Sequence, residues 1–502
     1  MNDRIETHLR ETDAFAWYME HDALLRSTVV AVVKLERAPD WERLVGRVDR
    51  ATRLVPTFRD VIVEPPLRLS TPQWVPDPGF DLSFHLRRLH VPAPHTFAEV
   101  LRYARTTAMA GFDRARPLWE FTLMEGLDDG GAAFVMKVHH GLTDGIGGMQ
   151  LALLLFDLDP DAEPTDDLET WPDPESRGHE VLDRVRDAVD HDVHQVLDFA
   201  GRHVRSAVPS LMHAALHPRE TVIGALNVAA SIARIVAPVT QTLSPVMTDR
   251  TLSWNFQVLE LPFMDLRRAA KKADGTLNDA FLAGIAGGLR RYHELHGESV
   301  DELRVTLPIS IRKESDPTGG NRITLMRFKV PIAVVDPVER MRAMHTLVAQ
   351  WRNEPAIRHT NTIAGLLNLL PRNAVGSILK HVDFLASNVP GVSVPLYLVG
   401  AKVDRYFPFG PTTGSAVNIT LLTYVDSCCI GVNTDTGAIP DSDEFLACLR
   451  EGFDEVLAVA RPPTPRRQAA PRRTTTEHAT TKHATTKHAT TKQATTKQKA
   501  GS

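Results

Sequence analysis

Cysteine is scarce in this chain. Cys428, Cys429 and Cys448 are the only three in 502 residues. An odd, low count without metal-ligand spacing excludes a disulfide scaffold and a cysteine-bound metal, and it fits a reducing compartment. Long apolar runs are missing as well. Only residues 222–239 invite a membrane reading, and Asn227, Arg234 and Pro238 interrupt them. A spanning helix wants about 20 mostly apolar residues and tolerates a central arginine badly. That segment is expected to be a buried or interfacial helix that does not cross a bilayer. The first ten residues are polar, with no apolar signal-peptide core, so the expected location is the cytoplasm. Positive charge is short where it would count. The net charge is −5, yet from Arg461 onward ten Lys or Arg face a single acid. The body before that point is therefore more acidic than the total. This argues against nucleic-acid binding, since phosphate contacts need clustered cations.

What remains is the composition of an ordinary globular protein, 43% apolar and 24% charged, in a chain too long for one core. Two domains plus extras follow. In the first half, residues 1–177, the β-branched run 27–35 reads as a strand. Residues 41–54 and 97–109 read as helices, and 118–124 and 132–139 as strands joined by the turn Asp128-Asp129-Gly130-Gly131. Residues 178–250 read as a helical linker. The second half, residues 251–461, carries predicted helices at 265–273, 278–292, 338–352 and 442–460, and predicted strands at 303–309, 323–335 and 417–433. Strands and helices mixed in both halves give an α/β fold with layered sheets. Residues 462–502 differ. His-Ala-Thr-Thr-Lys recurs from His478, His483 and His488, a low-complexity pattern that cannot bury a core and is expected to be a disordered basic tail. Its histidines belong to a solvated cationic segment rather than a metal site, and its basic residues could touch anionic lipid.

The chemistry concentrates at Lys137-Val138-His139-His140-Gly141-Leu142-Thr143-Asp144-Gly145. Two adjacent imidazoles end an apolar strand. A histidine held there by surrounding structure can take a proton from a hydroxyl near neutral pH, which suits acyl transfer to an alcohol. Strand alternation sends the two rings to opposite faces, so only one meets a substrate. Asp144 either orients His140 or fixes the loop through a turn contact. Gly145 allows close backbone approach or a positive φ.

These residues resemble the HHxxxDG signature of the acyl-CoA-dependent acyltransferase superfamily, which includes chloramphenicol acetyltransferase and peptide-synthetase condensation domains. Four further segments narrow the resemblance to the bacterial wax ester synthase/diacylglycerol acyltransferase family: Pro117-Leu118-Trp119, Leu277-Asn278-Asp279, Gly320-Asn321-Arg322 and Ser387-Asn388-Val389-Pro390-Gly391, in the family's order. Asp13 and Glu20 are weaker echoes. The resemblance implies two chloramphenicol-acetyltransferase-like domains with mixed sheets, flanking helices and an active-site channel between them. It implies His140 as general base, His139 in support and Asp144 pointing away from the substrate. It makes Asn278, Asp279, Ser387 and Asn388 channel candidates. Read from the residues alone, Asn278-Asp279 is also a helix N-cap, and 387–391 is a turn whose polar groups could line a cleft. The implied reaction is long-chain acyl transfer from acyl-CoA to diacylglycerol. A long-chain alcohol acceptor, giving a wax ester, and a weakly active lipid-binding homologue are the alternatives. Acyl-CoA is a substrate, and neither metal nor cofactor is expected. Peripheral contact with a membrane or lipid droplet is a further expectation.

Overall fold

In the computed structural model the described residues are 8–65, 71–142, 154–162, 239–310, 323–352, 365, 368 and 380–461. The first half opens with helix α1 (Glu11–Met19) and strand β1 (Thr28–Leu35). Helix α2 (Trp41–Leu54) follows; the Asp40 carboxylate caps it by accepting the Arg43 N–H at 2.9 Å, and Leu44 and Val48 form its inward face. After a short hairpin of β2 (Asp60–Val63) and β3 (Gln73–Pro76) come the single-turn α3 (Leu82–His85), β4 (Leu86–His90), α4 (Phe97–Met109), β5 (Trp119–Glu125) and β6 (Ala132–His139). β6 is apolar on both faces, as a strand covered from two sides must be.

The second half contributes β7 (Trp254–Pro262), α5 (Phe263–Lys272), α6 (Leu277–Leu295), β8 (Glu302–Ser310), β9 (Ile323–Pro331) and α7 (Pro337–Arg352). It continues with β10 (Phe384–Val392), β11 (Tyr397–Leu398), β12 (Ala401–Phe409), β13 (Val417–Tyr424), β14 (Ser427–Asp435) and α8 (Ser442–Ala460). Helices α6 and α8 meet through small residues. A methyl at Gly288 would lie 2.6 Å from Leu449 Cα, and one at Gly452 would lie 2.2 Å from Gly288 N, so only glycine permits this approach.

Two six-stranded mixed sheets organise the molecule. The first runs β11-β12-β1-β6-β5-β4 and the second β7-β14-β13-β10-β8-β9. Within the first, β4 and β5 are parallel; within the second, β10 runs parallel to both β13 and β8. The first sheet is not built from the first half alone. β12 pairs antiparallel with β1, Val30 opposite Phe409, so a strand from beyond residue 400 completes it. The Phe256 ring of β7 stacks 4.2 Å from that of Phe409 and ties the sheets together.

Several sequence expectations change. Residues 417–433 are not one strand but two, β13 and β14, which reverse at Val425. Residues 387–391 are not a turn; they finish β10. Parallel pairing with β13 keeps this stretch extended, and the register shifts between Val389 and Val392 where Pro390 and Gly391 sit. The predicted strand 323–335 stops at Pro331. Residues 178–238 of the predicted linker lie outside the described residues, and 239–250 contain no helix. The expectation for 222–239 therefore has only Val239 to answer it, a buried residue outside any helix.

Candidate active site

The site forms where three strand ends meet. His139 is the last residue of β6 and lies opposite Thr28 of β1. Its N–H donates to Leu118 O (3.0 Å), and the His140 N–H donates to Ser27 O (2.8 Å), so backbone bonds on both sides hold the pair. A turn closes behind them as the Leu142 N–H donates to His139 O (3.0 Å). β12 ends beside the start of β1, and the segment after it reaches the same place: Gly414 packs against Leu25 and Lys380, and Lys380 Nζ pairs with Asp22 at 2.5 Å. The histidines thus stand at the seam between the halves.

The two rings have different surroundings. His139 is buried, with 1% of its surface exposed, while His140 is half-buried. The His139 Nδ1 accepts the Gly141 N–H at 3.0 Å. That bond requires Nδ1 to be unprotonated, so the ring proton sits on Nε2. Nε2 faces Glu20 Oε1 at 3.2 Å. Glu20 ends α1, and the same Oε1 accepts the Ser27 N–H at 2.6 Å. Burial pushes the Glu20 carboxyl up, but hydrogen bonds from the His139 ring and the Ser27 N–H, with Arg26 nearby, outweigh it and hold the group below its usual range. The Trp17 and Phe112 rings meet His139 edge-on at 6.1 Å each.

A second buried charge lies on the same face of β6. Lys137 is 1% exposed; its Nζ pairs with Glu120 Oε1 at 3.0 Å and stands 4.2 Å over the Phe112 ring. Burial pulls the ammonium below the usual lysine range, while Glu120 and, from farther off, Glu20 oppose this. On Glu120, burial pushes the carboxyl up, but Lys137 and Arg87 outweigh it and leave the group low.

The other sequence candidates fall elsewhere. Thr143, Asp144 and Gly145 lie outside the described residues. Asn278 does not cap α6, because Thr276 does: Asp279, three residues on, receives the Thr276 N–H at 2.7 Å and completes a capping box. The Asp279 carboxylate also meets His345 Nδ1 at 2.8 Å, so it serves the helix end and α7 rather than the histidines. Asn278 is half-buried in the first turn. Strand alternation separates Ser387 from Asn388. Ser387 shares the face that looks toward the first half and lies in register with Thr420, whose Oγ1 donates to Asn418 Oδ1 at 2.7 Å. Asn388 points the other way. The Asn418–Thr420 polar strip was not foreseen. Its signal was present, since Val417-Asn418-Ile419-Thr420-Leu421 alternates apolar and polar at a strand's period. The cysteines are chemically quiet, as burial pushes the thiols of Cys428 and Cys429 up to about 12 and about 11. Among the described residues no group of three or more His, Cys, Asp or Glu could hold a metal ion.

The family model described as the wax ester synthase/diacylglycerol acyltransferase catalytic domain matches residues 9–281, and that of the family's C-terminal domain matches 319–456. The chain belongs to this acyltransferase family. Glu20, His139 and Asp279 therefore fall within the family's catalytic domain, and Ser387 and Asn388 within its C-terminal domain. A putative diacylglycerol O-acyltransferase of Mycobacterium tuberculosis is 35% identical over 466 residues, 92% of this chain and 94% of the relative. The fold is similar to the wax ester synthase/diacylglycerol acyltransferase of Marinobacter aquaeolei VT8, with TM-score 0.61 and 22% identity over 90% of this chain and 100% of the other. It is also similar to the first condensation domain of the calcium-dependent antibiotic synthetase, with TM-score 0.60 and 13% identity over 91% and 97%. These two likenesses speak to architecture alone.

Proposed function

We propose that the protein is a triacylglycerol synthase, transferring a long-chain acyl group from acyl-CoA to diacylglycerol with His140 as general base. The observation that supports this reading is the asymmetry of the histidine pair. His139 is buried, with its Nδ1 holding the Gly141 N–H and its Nε2 turned toward Glu20, whereas His140 is half-buried and is the ring assigned to meet the substrate. In the proposed step the diacylglycerol hydroxyl oxygen attacks the thioester carbonyl while its proton passes to His140. The tetrahedral intermediate collapses, the carbon–sulfur bond breaks, and His140 returns the proton to the CoA sulfur. Direct transfer needs both substrates in near-attack geometry, which a channel between the halves would supply. General-base assistance of this kind contributes about 10²–10⁴ in rate. The acceptor is assigned as diacylglycerol on the names of the mycobacterial relatives.

Among the described residues no helix is long and apolar enough to cross a membrane. We propose peripheral contact with a lipid surface, where the acceptor resides. The test is an acceptor panel: purified protein and labelled long-chain acyl-CoA are offered diacylglycerol, monoacylglycerol, hexadecanol or buffer, and the esters are separated by chromatography. Triacylglycerol is the expected main product. Predominant wax ester would replace the acceptor, and no ester above buffer would overturn the enzymatic reading.

A further inference from the structure

Four cations stand on one exposed stripe of α5, and the acyl transfer just described uses none of them. The inward residues of the helix, Leu266, Ala269, Ala270 and Ala273, are buried in the core of the second half. The outward ones, Met264, Arg267, Arg268, Lys271 and Lys272, follow the i, i+3, i+4, i+7, i+8 spacing of a single helical face, and all are exposed. The body of the chain is net acidic, yet this face carries no acid. Asp265 at its margin pairs with Arg268, and Lys272 turns to the end of α8, where its Nζ donates to Val459 O at 2.8 Å. Arg267 and Lys271 are exposed between these two anchors.

At the start of α5 the surface changes character. The Phe263 N–H donates to Asp426 O at 2.9 Å, and the Val425 N–H donates to Val392 O at 2.8 Å. The beginning of α5, the reversal between β13 and β14 and the end of β10 therefore meet at one corner. Met264, Val394 and Val425 are exposed there by 52%, 45% and 37%, with Pro262 and Pro395 exposed beside them. One exposed apolar residue needs no explanation, but several converging from three elements mark a contact surface. Cations continuous with a small apolar corner match the headgroup region of a bilayer, where anionic phosphates attract the stripe and the corner enters the boundary with the acyl chains. The centre of a protein–protein interface is depleted of lysine rather than built beside it. Nucleic acid would match the cations but leave the apolar corner unused. The polypeptide also continues from Arg461, whose carbonyl Lys272 meets at 3.4 Å, into a stretch with nine further Lys or Arg.

We propose that α5 and the corner at its start form the face on which the protein rests against an anionic phospholipid membrane. The basic stripe supplies the attraction, and Met264, Val394 and Val425 supply a shallow insertion. This rests on the peripheral lipid contact proposed above and names the surface that makes it.

The test sediments the full chain with vesicles of phosphatidylcholine alone or of phosphatidylcholine mixed with phosphatidylglycerol. The wild type is expected to prefer the mixed vesicles and to be released from them by salt. Arg267→Glu/Lys271→Glu should weaken that binding at least about tenfold, and Met264→Ser at least about threefold. Both variants should keep the wild-type melting temperature and wild-type turnover on detergent-solubilised diacylglycerol. Undiminished binding of Arg267→Glu/Lys271→Glu to the mixed vesicles overturns this face and leaves peripheral contact standing, whereas no binding of the wild type to either vesicle removes both. Tighter binding of a duplex DNA oligonucleotide than of the mixed vesicles, lost in the same variant, overturns the lipid assignment in favour of nucleic acid. Should the charge reversal fail to fold, Arg267→Gln/Lys271→Gln decides: a loss of at least about threefold supports the proposal, and wild-type binding overturns it. Absence of wild-type turnover on detergent-solubilised diacylglycerol would instead remove the acyl-transfer reading and leave the vesicle result untouched.

Discussion

At the scale of single residues the site turns on two neighbours with unlike surroundings. His140→Ala is expected to lower acyl transfer by about 10²–10⁴ while the fold survives, because the ring is half-buried and its main-chain bond to Ser27 does not need the side chain. Activity assays beside circular dichroism check both halves of that statement. Glu20→Gln keeps the shape of the side chain but removes its charge beside His139 and Ser27. It should reduce kcat about tenfold with little change in KM, which steady-state kinetics would read. Part of this was legible in the sequence. Adjacent histidines at the end of an apolar strand announce themselves, whereas Glu20 lies far away in the chain and showed only as a weak echo of the family, with nothing to pair it with His139. Its pairing with His139 exists only because α1 ends beside the first residues of β1. Lys137 was visible inside the motif, but its burial was not, since lysine on an alternating strand ordinarily reads as a solvated face.

Secondary-structure elements were readable where side-chain chemistry and backbone role agreed. The β-branched run of β1 and the apolar runs of β5 and β6 fall within a residue or so of expectation. β10 misleads because Ser, Asn, Pro and Gly favour turns, and here sheet pairing overrides that preference. The reversal between β13 and β14 was hidden for the opposite reason: Val425 takes φ of 54°, a left-handed conformation that a β-branched residue seldom announces. Gly391 has the clearest local requirement in β10. A Cβ there would fall 1.5 Å from Thr423 O, and a paired strand cannot retreat that far. Gly391→Ala is expected to cost about 2–3 kcal/mol or more, read as a lower urea midpoint. An unchanged midpoint would mean that β10 and β13 can separate at this position.

For the whole molecule, buried histidines away from the site set an acid limit. His85 is fully buried between the Phe80 and Trp119 rings, and His293 is buried with Ser244 against its Nε2. Burial pulls both below the ordinary histidine range, outweighing the backbone carbonyls that each ring meets. The unfolded chain takes up these protons near pH 6.5 and the folded chain only at lower pH. The stability they confer is therefore complete above about pH 6.5 and lost as the pH falls below it, by up to about 1.4 kcal/mol per pH unit for each ring. Urea midpoints at pH 7.5 and 5.5 should differ accordingly, and His85→Phe should flatten the difference.

The insertion of β12 beside β1 has a consequence for how the chain is made. Until residues 401–409 have left the ribosome, β1 is an open edge whose unpaired N–H and C=O groups invite pairing with other chains. A fragment ending at residue 250 should therefore self-associate, eluting ahead of its monomer volume in size-exclusion chromatography, and a peptide carrying 397–410 added in trans should return it toward monomer. Synthesis delivers the histidine pair early, but the β1 edge is closed only when more than three quarters of the polypeptide exists, so a premature stop would leave a sticky half-protein rather than a smaller enzyme.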